Sequence, residues 1–319
     1  MSNVQRPDRV IASAPGGIGN IGPGLDVLGC AVEGPRDEVT AEWCDAPGVT
    51  VRDAGHPELP SDPSRHSSAL AAAAVLRRAR EAGATMAAAG LALALRKQLP
   101  LAGGQGGSAA SAVAGAVAAN ALLGEPLDTT ALLACCLEAE SAVAGRHLDN
   151  VAPQLVGGIV LVRSVDPISI VKLPVPNALR IVLAHPAHRL ATAEARAVLP
   201  AAVPRADALH QMAMVAAMVA ACYRNDLTMF GRSIDDRIAE PARGALLPGF
   251  AAAKRAALDA GALGASISGA GPTAFAVVED ETCGEAVAEA MRKAYADAGL
   301  ECAARVTRVD ERGARWEAA

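Results

Sequence analysis

Apolar and polar residues alternate over residues 9–13 and again over 38–43, the two-residue period of half-buried strands. The period then lengthens. Ala69, Ala72, Ala73 and Leu76 share one face of a segment running to about Arg80, with Ser64 placed to cap it as a helix. Residues 91–95 read as a strand that leads into a glycine-rich loop. Ser108 opens an alanine-rich helix to about Leu123, and Asp128 caps the next, to about Ala144. Residues 158–162 have the continuous apolar run of a buried strand. Short strands separated by prolines follow over 163–176, then a strand at 181–183 and helices near 192–199 and 207–223. Residues 265–268 and 274–278 read as paired strands around a glycine turn. A helix over 285–296 and a final strand over 303–309 close the chain. This mixed order predicts an α+β fold rather than a doubly wound sheet.

Composition narrows the function. The chain has 319 residues, enough for one large domain or two ordinary ones. Hydrophobic residues make up 52% but aromatics only 2%, so the core must be built from interlocking aliphatics. Single-stranded nucleic-acid binding needs stacking platforms and a basic groove; a net charge of −5 without a basic tract supplies neither, so no nucleic acid partner is expected. No apolar run is long enough to span a bilayer, and residues 1–9 are too polar for a secretory signal, so no membrane association and a cytoplasmic location are expected. Seven cysteines show no CxxC pairing and no metal-ligand spacing, and are read as reduced structural thiols.

Three glycine-rich segments carry the candidate chemistry. The first runs from Pro15 to Asp26 and sets Asn20 and Asp26 in a tight turn; by itself it reads as a surface turn. The second, from Leu99 to Ser111, sits between a strand and a helix. Free amides at such a junction bind anions, and Ser108 offers a hydroxyl that can ligate Mg²⁺. It lacks the Gly-Lys-Ser ending of a Walker loop and is not a GxGxxG dinucleotide fingerprint. The third, from Gly261 to Thr273, reads as a hairpin turn that packs against and holds the site.

Together and in this order, the three segments resemble the signature motifs of the GHMP kinases, a family named for galactokinase, homoserine kinase, mevalonate kinase and phosphomevalonate kinase. The family's second motif, Pro-x3-Gly-Leu-Gly-Ser-Ser-Ala-Ala, reads here as Pro100 to Ala110, with Gln105 for Leu and Gly107 for the first Ser. Within the family the chain is most similar to the homoserine kinases, through residues 22–29, 147–153 and 267–273. The resemblance implies two domains, 1–163 binding ATP through an unusual left-handed β-α-β crossover and 164–319 ferredoxin-like. It implies an ATP-dependent phosphotransferase acting on an alcohol, with L-homoserine as acceptor and a homodimeric assembly. Other GHMP substrates and a catalytically silent binding protein are the alternatives.

The resemblance also assigns residues. His66, Lys97, Pro100, Gly103, Gly104, Gln105, Gly106, Gly107, Ser108, Ala109 and Ala110 are expected at the nucleotide. Ser108 and Glu140 are the expected metal ligands, with Glu138 as the fallback carboxylate. Arg196 and Arg243 are expected to take the substrate carboxylate, whose planar geometry suits a guanidinium fork, and Asp26 its ammonium. Asn20 and Asn150 orient the reacting hydroxyl, and Thr192 joins them in the active site. Asp149 is expected to point away if its segment is extended. Leu25 stands where the family has Phe and His66 where it has Asn.

Overall fold

The computed structural model describes residues 7–319. Strands β1 (Arg9–Gly19) and β2 (Leu28–Cys44) pair antiparallel over most of their length, with a register shift between Pro15 and Gly16. The outer half of β2 pairs with β4 (Gly90–Arg96), which lies parallel to β3 (Gly48–Asp53). A parallel pair needs a crossover, and α1 (Ser67–Glu81) supplies it. Strand β5 (Ile159–Val165) joins the inner end of β2, and β6 (Ile168–Leu173) turns back along β5.

Helices α2 (Gly107–Leu122) and α3 (Thr129–Val143) pack with α1 against this sheet, and the short α4 (Val151–Val156) precedes β5. Fourteen of the sixteen residues of α2 are buried, so it is a core helix rather than an amphipathic one. Small residues permit this. A Cβ on Gly115 would stand 2.3 Å from the Ser68 carbonyl oxygen, so α1 and α2 meet backbone to backbone.

The second sheet is antiparallel. It contains β7 (Arg180–Pro186), β8 (Gly264–Ile267), β9 (Ala274–Val278) and β10 (Cys302–Thr307), in the order β10-β7-β9-β8. Read as the first to fourth strands of their own unit, that order is 4-1-3-2, the ferredoxin-like arrangement expected. Between β7 and β8 come α5 (Thr192–Ala197), α6 (Arg205–Arg224), α7 (Leu227–Arg232), α8 (Ala239–Gly244) and α9 (Phe250–Asp259); α10 (Glu281–Asp297) links β9 to β10. Phe250, Val287, Met291 and Tyr295 of α9 and α10 cover one face. The other face shares a core with the first sheet, where Ile18, Leu28 and Ile159 meet Leu183, Phe230 and Phe275. That shared core fixes one sheet relative to the other.

Several local expectations are revised. Helix α1 starts at Ser67, not after Ser64; His66 occupies the cap position, and Ser64 bonds Asp62 instead. Asp128 does cap α3, accepting from the Ala131 amide at 2.8 Å. The strand expected to end the chain is β10, yet β11 (Arg315–Ala318) follows and pairs with β1. All four of its residues are exposed, and its polar–apolar alternation covers only four residues, too few to reveal it. Strand β3 and helix α9 were likewise not anticipated. The 163/164 division falls inside β5, and the chain re-enters the first sheet at both β6 and β11. Among the described residues no helix is long and apolar enough to cross a membrane.

Candidate active site

The loop joining β4 to α2 is clamped from three sides. Gly104 and Gly106 have φ of 76° and 65°, conformations that favour glycine. At Gly104 space is also closed, since a Cβ there would lie 2.7 Å from the carbonyl oxygens of both Ser268 and Gly271. The third glycine segment therefore rests on the second. Ser268 Oγ donates to the Gly104 carbonyl at 2.6 Å and Thr273 Oγ1 to the Gly103 carbonyl at 2.5 Å. The first segment arrives from the opposite side, with the Gly17 amide donating to the Gln105 carbonyl at 3.0 Å. Gln154 Nε2 secures the Gly106 carbonyl at 3.0 Å.

A buried carboxylate ties the two ends of this loop together. Asp37, fully buried on β2, accepts from the Gln98 and Leu99 amides, each at 3.1 Å, and from Ser111 Oγ at 2.7 Å. It also pairs with Lys97, whose Nζ reaches Asp37 Oδ2 at 2.5 Å and donates to the Gly107 carbonyl at 2.7 Å and to Ser111 at 3.1 Å. Lys97, expected at the nucleotide, thus lies at the cavity wall with its ammonium turned to protein acceptors. Asp37 was not anticipated; it stands just before the strand-like run at 38–43 and carried no signal beyond its charge.

Above the loop is a cavity of about 590 Å³. Of the residues expected at the nucleotide and metal, His66, Lys97, Pro100, Gly103, Gly104, Gly106, Gly107, Ser108 and Glu140 line it, and Asn150 and Thr192 join them. Three do not. Gln105 is turned inward toward Thr273, with Nε2 3.4 Å from Oγ1, while Ala109 and Ala110 are fully buried in the core. Glu138 lies on the protein surface, paired with Arg77 and Arg78. His66 is buried, its ring bonded to Ser68 Oγ at 2.9 Å, and burial lowers its pKa.

Ser108 Oγ donates to Glu140 Oε1 at 3.2 Å, which leaves Oε2 buried without a partner. Burial pushes the Glu140 carboxyl up to about 7, against the Ser108 hydrogen bond and with help from Asp149. Asp149 corrects the expectation that it points elsewhere. Its segment is not extended, because Asn150 has helical φ and ψ as the cap residue of α4. Asp149 is therefore only 2% exposed, and its Oδ2 accepts from the Asn20 amide at 3.2 Å and from Asn150 Nδ2 at 3.3 Å. Burial raises its pKa, with the neighbouring His147 and Arg196 opposing. His147, another unanticipated neighbour, lines the cavity with Nδ1 3.8 Å from Asp149 Oδ1. Asn150 Oδ1 is buried and unpaired.

The remaining expected residues meet around Gly269. Asn20, at φ 69°, donates to the Gly269 carbonyl at 3.0 Å and accepts from the Asp26 amide at 3.1 Å. Arg243 donates to the same carbonyl at 2.9 Å and to that of Ala195 at 3.0 Å. It is buried, which lowers its pKa, as does the nearby Arg196. Arg196, next to Ala195 on α5, pairs with Asp26. Gly269 also lines the cavity, so one loop joins this polar cluster to that space. Gln211 of α6 supports the cluster. It donates to the Pro23 carbonyl at 3.1 Å and to Asp236 at 2.7 Å, and Asp236 accepts from the Ala239 and Glu240 amides at the start of α8, which carries Arg243.

Comparison with known proteins agrees with this geometry. The model of the GHMP kinases N terminal domain matches residues 67–158, and that of the GHMP kinases C terminal matches residues 218–297. A homoserine kinase of Chlorobium phaeovibrioides is 40% identical over 287 residues, covering 87% of this chain and 89% of that protein. One of Arabidopsis thaliana is 39% identical over 313 residues, covering 95% and 83%. The crystal structure of homoserine kinase from Cytophaga hutchinsonii superposes with a TM-score of 0.91 at 38% identity, covering 99% of both chains. Signature loops, fold and full-length similarity agree, and the chain belongs to the homoserine kinase branch of the GHMP kinases.

Proposed function

We propose that this chain is a homoserine kinase, transferring the γ-phosphoryl group of ATP to the side-chain hydroxyl of L-homoserine to give ADP and O-phospho-L-homoserine, a step of threonine biosynthesis. The observation that carries the substrate is the gathering of Asp26, Arg196 and Arg243 around Gly269, beside the loop that would hold the phosphates. An α-amino acid needs one anionic and at least one cationic partner, and a plain alcohol needs neither.

Phosphoryl transfer passes through a loose transition state, so alignment and charge neutralisation supply most of the catalysis. In this reading the triphosphate lies against residues 104–108, where the first-turn amides of the sixteen-residue α2 present its positive end. The base lies toward the apolar end of the cavity, at Leu59, Pro60 and Leu70. Ser108 Oγ and the unpartnered Glu140 Oε2 converge on the same space and fit a Mg²⁺ ion, a cation that takes few protein ligands and completes its shell with phosphate and water. Bound there, the ion would neutralise charge developing on the phosphate oxygens. Asn150 Oδ1 is free to accept from the substrate hydroxyl and aim its oxygen. As an amide it cannot take the proton, so the hydroxyl is aligned rather than deprotonated early. Asn20 fixes the turn that holds Asp26, and Thr192 closes the cavity wall near Leu190. We further propose that the enzyme works in the cytoplasm as a homodimer.

ADP release measured across L-homoserine, L-threonine, L-serine and mevalonate tests the assignment. Turnover with homoserine well above the others is expected. No release with homoserine but release with another alcohol would overturn it.

A further inference from the structure

The second sheet reaches the loop between β4 and α2 through one of its own strands. In the antiparallel pairing of β7 with β9, Ala184 faces Ala274, so the next position of that register sets His185 beside Thr273. Side chains of directly opposed residues project from the same face and meet. Here His185 Nδ1 lies 2.9 Å from Thr273 Oγ1. The ring also stands against the loop itself, since a Cβ on Gly103 would lie 3.1 Å from His185 Cε1.

Which of the two groups donates follows from the bonds around them. Thr273 Oγ1 and the Gly103 carbonyl oxygen are 2.5 Å apart, and two oxygens that close need a proton between them. A carbonyl has none to give, so the Thr273 hydroxyl commits its single proton to Gly103 and accepts from its other neighbours. These are Gln105 Nε2, at 3.4 Å, and His185 Nδ1, which must therefore carry a hydrogen. Burial lowers the pKa of His185, so near neutral pH the ring is uncharged and has one N–H. With that hydrogen on Nδ1, the ring turns the threonine proton toward Gly103. With it on Nε2, the bare Nδ1 would compete for the same proton and release the carbonyl. We infer that His185, as the Nδ1–H tautomer, is a positioning residue for the nucleotide: it orients the Thr273 hydroxyl, which fixes Gly103 and with it the amides of residues 104–108. The inference rests on the reading of those amides as the phosphate site.

Titration of the full chain with the fluorescent nucleotide mant-ADP and Mg²⁺ tests this. His185→Asn sets an amide N–H where Nδ1 stands, and His185→Gln sets one where Nε2 stands. The Asn variant should bind as the wild type does, whereas His185→Gln and His185→Leu should each raise Kd about threefold, the loss of one hydrogen bond. Asn and Gln carry the same group, so a general loosening of the strand would move both alike. Because His185 acts through the hydroxyl, His185→Leu should add nothing to Thr273→Val: the double variant should bind no more weakly than Thr273→Val alone. Circular dichroism and thermal melts establish that the variants are folded. Equal binding by the Asn and Gln variants, or effects of His185→Leu and Thr273→Val that multiply in the double variant, would overturn the inference alone. A wild type that binds no mant-ADP would overturn the phosphate-site reading and this inference with it.

Discussion

The Arg196 guanidinium closes on the Asp26 carboxylate, with Nη2 2.6 Å from Oδ1 and Nη1 3.3 Å from Oδ2. Before substrate arrives, the group expected to take its carboxylate and the group expected to take its ammonium satisfy one another. Both are about a third exposed, at 33% and 39%, and such a pair is worth only about 0–1 kcal/mol. A zwitterion can therefore separate them at little cost and replace each charge with its own. A neutral alcohol of the same size would break the pair and return nothing.

Replacing either arginine should weaken homoserine use and leave ATP use nearly unchanged. Losing one side of a hydrogen-bonded charge pair costs about 2 kcal/mol or more, roughly thirtyfold in kcat/KM. Much of this should appear in KM, because the carboxylate keeps its charge through the reaction. Arg→Lys should rescue only part, since an ammonium lacks the fork. The alanine variants should cease to distinguish homoserine from 3-aminopropanol. Only Arg243→Ala should also lower Tm, because Arg243 is buried and holds the Ala195 and Gly269 carbonyls. Steady-state kinetics with each substrate varied in turn check this.

Glu140→Gln should lose about a hundredfold or more in rate if Glu140 completes the metal site. The same change should stabilise the fold at high pH. Burial raises the carboxyl to about 7, so the folded state holds its proton more tightly than the unfolded chain does. The stability this contributes is complete below about pH 4.5, the ordinary value, and is lost as pH rises through about 7. A residue that cannot ionise escapes that loss, worth on the order of 3 kcal/mol. Thermal melts near pH 8 should place Glu140→Gln above wild type, and melts near pH 4 should bring the two together. Apparent Mg²⁺ affinity should fall as pH drops below about 7, since proton and metal compete for the same oxygens. Glu138→Gln, at the surface, should change neither rate nor melt appreciably.

Asp37→Asn should raise KM for ATP and spare KM for homoserine. The variant leaves the buried Lys97 without its counter-charge, a loss of about 3–5 kcal/mol in comparable settings. It also loosens the anchor shared by both ends of the phosphate loop. Binding of a fluorescent ATP analogue, alongside a melt, separates loss of the loop from loss of the fold. An unchanged ATP affinity in a folded variant would rule out this role.

Ser268→Ala and Thr273→Val each remove a hydroxyl that holds a loop carbonyl, at Gly104 and Gly103 respectively. Ser268→Ala leaves the half-buried Gly104 carbonyl without its donor, at about 1–3 kcal/mol, whereas the Gly103 carbonyl keeps the Thr273 amide at 3.3 Å, so Thr273→Val should cost less. Because neither hydroxyl is expected to touch substrate, the kinetic effect should be a several-fold rise in ATP KM with kcat kept within a few-fold. A collapse of kcat would instead mean that the third segment takes part in the chemistry.

Local order alone determined a good deal. The β4–loop–α2 unit was legible because a strand-length apolar run, a cluster of glycines and an alanine-rich helix follow one another without interruption. The Asp128 cap was legible because a cap requires only a residue and the amide three positions on. The motif order carried the family, and with it the list of residues to examine. Strand β11 was not legible, because its pairing with β1 joins opposite ends of the chain and its alternation covers only four exposed residues.

What only the tertiary structure decided concerns partners distant in sequence. Glu138 and Glu140 are two residues apart on one helix, so α3 turns them to different faces, and only packing against α2 shows that Glu140 meets Ser108 while Glu138 meets Arg77 and Arg78. Asp149 is drawn inward by the start of α4, and Lys97 is claimed by Asp37, sixty positions away. Side-chain identity sets which bonds a group can make. Which of them it does make depends on what the fold brings within about 3 Å, a distance short enough that neighbours along the chain say little about it.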